Sequence, residues 1–343
     1  MAQIPWYETN ASLSEVCIKQ GVDVVTFPYY RVMQCVHIVL SVLSTSMLLF
    51  VLTKYRSKLI FHYNIRVLFM SIFAACLLHA SLMAFFQTYQ MVLSFTYTSP
   101  CDVILPRFFY VYLHVPFTFS VLWIEGTQIV MLLERMIAIF YVGQYETCTK
   151  KLGHALLFLS FIVPVLECTW EYAGEDFMAA QISCLNTPAT RAVQVNMLFI
   201  ANILLHGVAF TSIVIVYVYH RRKVRLTTTL SERFQFAENM TSSRLLMTLT
   251  ALQFVIFLTY GLATVYLRTM ASKNSSLPMY RSNIMSAYLV PLYTLLLPVI
   301  TVVFLKKVKL TRRSNIRSMV QVKSSGAEGW AAYSSQLQQQ WNQ

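Results

Sequence analysis

"FFYVYLHVPFTFSVLWIEGTQIVMLLER", residues 108–135, decides how this chain folds. From Phe108 to Leu133 the only charge is Glu125, and the run then closes on an adjacent acid and base, Glu134 and Arg135. About 20 apolar residues make a helix long enough to cross the hydrocarbon core of a bilayer. An uncharged stretch of that length calls for lipid on its outside and a helix to satisfy its backbone. The stretch therefore reads as a membrane span, with Glu134 and Arg135 at its end.

Six more segments have the same character. They run from Val32 to Thr53, Val67 to Cys101, about Leu152 to Leu166, Ala192 to Tyr219, Leu245 to Leu267 and Ser282 to Leu305. Composition agrees: 57% of the 343 residues are hydrophobic and 12% are charged, about half the charged share usual in soluble domains. The expectation is an all-α membrane protein, a seven-transmembrane helix bundle. Residues 1–29 form a polar N-terminal tail and 30–305 the bundle. A basic helix at 306–320 lies on a membrane surface, with Val308, Ile316, Met319 and Val320 among Lys and Arg. The end, 321–343, reads as disordered.

Lys and Arg in the connections set the orientation. With the N-terminus outside, 20 basic residues fall on the cytoplasmic side and seven on the other, so the C-terminus is cytoplasmic. The net charge of +13 then reports topology and an anionic inner leaflet as partner. Nucleic acid is not expected, because the charge is divided among membrane-edge loops and no binding fold accompanies it. A cleaved signal peptide is not expected either: the first apolar segment is too long and inserts itself. The sequons at Asn10 and Asn274 fall outside and are candidate glycosylation sites, whereas Asn239 falls inside. Cys17, Cys101 and Cys184 share the oxidising side. A Cys101–Cys184 bridge would pin the second outer loop over the bundle; free thiols or a bridge to Cys17 stay open.

Enzyme signatures are missing from the sequence: it has no HExxH, CxxC, GxSxG, P-loop or GxGxxG, and no pair of Asp within spans. No metal or other cofactor is expected, and retinal has no Lys in the seventh span to bind. Seven spans without an internal repeat argue against an inverted-repeat transporter. Binding and transmission remain.

Glu134 and Arg135 lie roughly 30 Å below His114 at 1.5 Å per residue, one hydrocarbon thickness. Taken alone they read as an anchor snorkelling to the interface. Seven spans with an acid–Arg pair at the inner end of the third look like a G-protein-coupled receptor, which implies an Arg held by its acidic neighbour at rest and released to a heterotrimeric G protein. Met136 follows where the rhodopsin-like pattern has Tyr, and Pro298 lacks that pattern's preceding Asn and following Tyr. Three stretches, "FHYNIRVLF" (61–69), "LLERMIAIF" (132–140) and "LSERFQFAENMTSSRLL" (230–246), resemble the nematode serpentine chemoreceptors of the Sra superfamily, most like class alpha/beta. The resemblance implies a chemosensory receptor in the plasma membrane of a sensory neuron, its cilium included. It makes Arg221, Arg222 and Arg233 of the third inner connection companions of Glu134 and Arg135 as G-protein-coupling residues.

Glu125 lies near the bilayer midplane, where an ionised carboxylate costs at least about 3 kcal/mol. It should be protonated, paired or facing a wet cavity. Helical spacing puts His114, Thr118, Val121 and Glu125 on one face of the third span. With Phe117, His206, Tyr260 and Tyr288 they make a candidate pocket for a small organic molecule. The alternative is a seven-span ligand-gated ion channel or a transporter; a channel of the insect odorant type has its N-terminus inside, against the basic asymmetry.

Overall fold

The computed structural model describes residues 15, 17–55, 62–140, 150–179, 181–223, 230–269, 275–320 and 326–342, side chains at 139, 216, 219–223, 230–239, 315–320 and 328 excepted. It is helical nearly throughout. The elements are α1 (Pro28–Lys54), α2 (Tyr63–Thr96), α3 (Arg107–Phe140), α4 (Lys150–Tyr172), α5 (Ala192–Lys223), α6 (Leu230–Thr269), α7 (Leu277–Ala287), α8 (Val290–Val320) and α9 (Ala327–Asn342). Among the described residues, seven stretches are long and apolar enough to cross a membrane, α7 and α8 together supplying the last, Leu277–Ser314. This is the seven-transmembrane all-α bundle expected.

Two compact units divide the chain, Met1–Val299 and Ile300–Gln343. In the first, α3 is the central helix, packed against α2, α4, α5 and α6, while α7 lies against α1 and α6. Small residues set the closest approaches. A Cβ added at Gly153 of α4 would stand 2.6 Å from Asn64 Oδ1 of α2, and one at Gly126 of α3 would stand 3.1 Å from Pro164 of α4. Without a hydrophobic drive between helices in lipid, such close backbone packing and interhelical hydrogen bonds hold the bundle. Trp123 Nε1 donates to Ser71 Oγ at 3.1 Å and the Tyr293 hydroxyl to Gln253 Oε1 at 2.9 Å.

Helix ends follow local chemistry. Pro28 opens α1 in the first turn, where its missing N–H is no loss. Pro291 cannot donate to the carbonyl four residues back. The seventh span accordingly breaks at Tyr288, whose backbone is extended (ψ 92°). The fourth helix runs beyond Leu166 to Tyr172, because Glu171 is turned inward and buried and Glu167 is half-buried.

The end of the bundle away from Glu134 is covered. Helical turns at Ile18–Val22 and Asp23–Val25 bring Val24, Val25 and Tyr30 against Val103, Ile182 and Met285. Arg31 binds the Val25 carbonyl through Nε at 3.1 Å and the Ser94 carbonyl through Nη2 at 3.0 Å. The turn before α3 is held by Asp102 Oδ2, which accepts the Ser99 N–H at 2.7 Å, the Thr98 hydroxyl at 2.9 Å and the Thr98 N–H at 3.1 Å. Those bonds, Ser99's first, favour the ionised carboxylate and hold Asp102 below its ordinary range.

Here the expected Cys101–Cys184 bridge is corrected. Cys101 is bonded to Cys17, with Cα atoms 4.9 Å apart, and Cys184 is a buried free thiol. The N-terminal segment folds back onto the Pro100–Val103 turn, so that a Cβ at Gly21 would meet Val103 at 2.5 Å. That contact delivers Cys17, not Cys184, to Cys101. The second outer loop is pinned instead by hydrogen bonds. Gln181 O accepts the Leu105 N–H at 2.8 Å, Asn186 O accepts the Tyr110 hydroxyl at 2.5 Å, and Ile182 O accepts Gln90 Nε2. At about 1 kcal/mol each, a few such bonds match one disulfide of about 2–4 kcal/mol.

In the second unit, the basic stretch 306–320 is helical and continues α8 without a break. Ala327–Asn342, read as disordered, is helix α9, in which Trp330, Tyr333, Leu337 and Trp341 recur at helical spacing.

Candidate functional site

Below the pinned loop lies a cavity lined from α3, α4, α5, α6, the second outer loop and Tyr288. Seven of the eight pocket residues expected from the sequence line it: His114, Phe117, Thr118, Val121 and Glu125 from α3, Tyr260 from α6 and Tyr288 from the break between α7 and α8. His206 does not. It is buried on α5, outside the lining. Its neighbour one turn earlier, Asn202, takes its place: Asn202 Nδ2 donates to Glu125 Oε2 at 2.8 Å. Glu125 thus has a hydrogen-bond donor on one oxygen and lines the cavity.

A relay forms the upper wall. His114 Nδ1 donates to the Cys184 carbonyl at 2.7 Å. Its Nε2 is then the acceptor, taking the Tyr172 hydroxyl at 2.7 Å, and the Thr118 hydroxyl donates in turn to Tyr172 at 2.9 Å. Loop, α3 and α4 are tied through one imidazole. Aromatic rings close the floor. Tyr288 stands edge-on to Tyr260 with centroids 5.1 Å apart, and its hydroxyl is 2.7 Å from His79 Nε2. The main residues that sequence reasoning missed are Glu171, Asn202, Phe199 and Leu185. Glu171 lay past the fourth segment as read from hydropathy. Asn202 could have been found: it is four residues before His206, on the same helix face.

At the other end of α3 the charged pair is buried. Adjacent residues on a helix point about 100° apart and ordinarily do not pair. Here Arg135 bends onto Glu134 as a fork, Nε to Oε2 at 2.5 Å and Nη2 to Oε1 at 2.6 Å. Its Nη1 crosses to Ser242 Oγ of α6 at 2.7 Å. Side-chain exposure is 1% for Arg135 and 0% for Glu134, so the two do not snorkel. Nearby, Arg244 Nε of α6 donates to the Tyr217 hydroxyl of α5 at 3.1 Å. The side chains of Arg221, Arg222 and Arg233, and all of Asn10 and Asn274, lie outside the described residues.

Among the described residues, seven stretches long and apolar enough to cross a membrane, a cavity beside the central helix and a clamped Arg at that helix's far end are the features to be set beside known proteins. The chain matches the serpentine type 7TM GPCR receptor class ab chemoreceptor family over residues 16–342, and it belongs to that family. Among curated relatives from Caenorhabditis elegans, it is similar to serpentine receptor class beta-17, 33% identical over 92% of this chain and 88% of the relative. It is also similar to serpentine receptor class beta-16, 26% identical over 97% and 98% of the two chains. Serpentine receptor class beta-2 is 27% identical over 99% and 97%. The protein is therefore a multi-pass membrane receptor of the nematode chemoreceptor type, and the family is one of receptors rather than enzymes.

Proposed function

We propose that this receptor binds a small extracellular molecule in the cavity beneath the second outer loop and activates a heterotrimeric G protein through Arg135. The observation that carries the reading is the fork of Arg135 on Glu134 together with its bond to Ser242 on α6. A guanidinium buried in this way is held back from any cytoplasmic partner; separating α3 from α6 would break its bond to Ser242 and admit water to the fork on Glu134, weakening the hold. Glu125, at the cavity, lies nine residues from Glu134 on the same helix, about 13 Å along its axis. A ligand that shifts α3 against its neighbours therefore reaches the clamp through one rigid element.

In this reading the N-terminus is extracellular and the receptor sits in the plasma membrane of a sensory neuron. Support comes from the excess of Lys and Arg on the opposite side. The Cys17–Cys101 disulfide supports it too, since such bonds persist in oxidising space. The basic part of α8 would then meet the anionic inner leaflet, and Arg221, Arg222 and Arg233 the G protein. The test is a small-molecule screen in cells that report several G-protein pathways. A ligand-dependent G-protein signal is expected; ligand-evoked current that persists when all G proteins are inactivated would contradict it.

A further inference from the structure

Two carboxylates line the cavity, Glu125 from α3 and Glu171 from α4, each 3% exposed. Among the described residues, no Lys or Arg lines the cavity. A third acid, Glu167, is close enough to act on Glu125. The cation whose charge reaches Glu171 is Arg268, which stands outside the lining and donates to Asn196 Oδ1 at 2.5 Å. Aromatic faces supply much of the remaining wall: Phe117, Phe199, Tyr260 and Tyr288.

We infer that the ligand is a small organic amine, bound as its ammonium ion between Glu125 and Glu171 and against the aromatic wall. This rests on the cavity being the ligand site. Buried carboxylates in excess over cations either take up protons or are joined by something positive, and a bound cation is what lets both acids stay ionised. An ammonium offers N–H donors to both carboxylates, while ring faces attract the same charge. A ligand carboxylate would meet like charge on two walls. A neutral alcohol would hydrogen-bond without answering the charge.

The experiment uses the full-length receptor, purified in lipid nanodiscs, and reads ligand-induced shifts of its thermal unfolding midpoint, so that no G protein is involved. The probes are isoamylamine, isoamyl alcohol and isovalerate, and phenethylamine, phenethyl alcohol and phenylacetate. At least one amine should raise the midpoint, with an affinity roughly tenfold or more above that of the alcohol and carboxylate of the same skeleton. Glu125→Gln and Glu171→Gln, which keep shape and remove charge, should each weaken amine binding by about the same factor. The proposal is overturned if alcohols or carboxylates stabilise the receptor as well as the amines do, if no amine stabilises it, or if amine binding survives both substitutions. The unsubstituted receptor alone decides the ranking, so a poorly folding variant does not obscure it. Amine binding without any G-protein response would leave this inference standing and defeat the signalling proposal.

Discussion

Arg135 shows how much depends on where one side chain turns. Its neighbour Glu134 was visible in the sequence, and so was its place at the end of a span. That the pair is buried rather than anchored at the interface was not, because a helix of this length serves either purpose. The deciding residue, Ser242, lies 107 positions away and has no signal of its own. It yields a specific expectation: Ser242→Ala removes the bond from Arg135 Nη1 to the Ser242 hydroxyl while leaving the fork on Glu134. A hydrogen bond to a charged group is worth about 1.5–3 kcal/mol, enough to shift a two-state equilibrium at least tenfold. Signalling without ligand, measured per surface receptor, should rise in Ser242→Ala and rise less than in Glu134→Gln. Legibility was similarly uneven at the cavity. His114, Thr118, Val121 and Glu125 follow from helical spacing on α3, whereas Glu171 depended on α4 continuing past two carboxylates, which hydropathy cannot foresee.

The elements at the outer end were the least legible. Apolar length finds spans reliably because the bilayer demands it, but it says nothing of how a polar tail folds onto a loop. The turns over 17–25 bury Val24 and Val25 and carry Cys17 to Cys101, and no periodicity announces that. Peptide mapping without reductant should therefore recover a linked Cys17–Cys101 peptide and a free Cys184. Burial pushes the Cys184 thiol up to about 12. Since the thiolate is the reactive form, maleimide labelling of Cys184 in the native receptor should stay negligible from pH 6 to 9 and appear once the protein is unfolded. A peptide linking Cys101 to Cys184 would contradict the arrangement of the outer end.

For the whole molecule, the proposed orientation and the proposed switch stand or fall on different data. With the N-terminus outside, glycans should occur at Asn10 or Asn274 and not at Asn239; a modified Asn239, or antibody access to the C-terminal helix in intact cells, would reverse the topology. The central claim is that Glu134 restrains Arg135 and that ligand releases it. It is tested most directly by basal and ligand-stimulated G-protein activation, normalised to surface copies, in Glu134→Gln and Arg135→Ala. The account predicts raised basal activity in the first, and loss of coupling with ligand binding retained in the second. If both match the unsubstituted receptor after normalisation, the buried pair only fastens α3 to its neighbours and is not the switch.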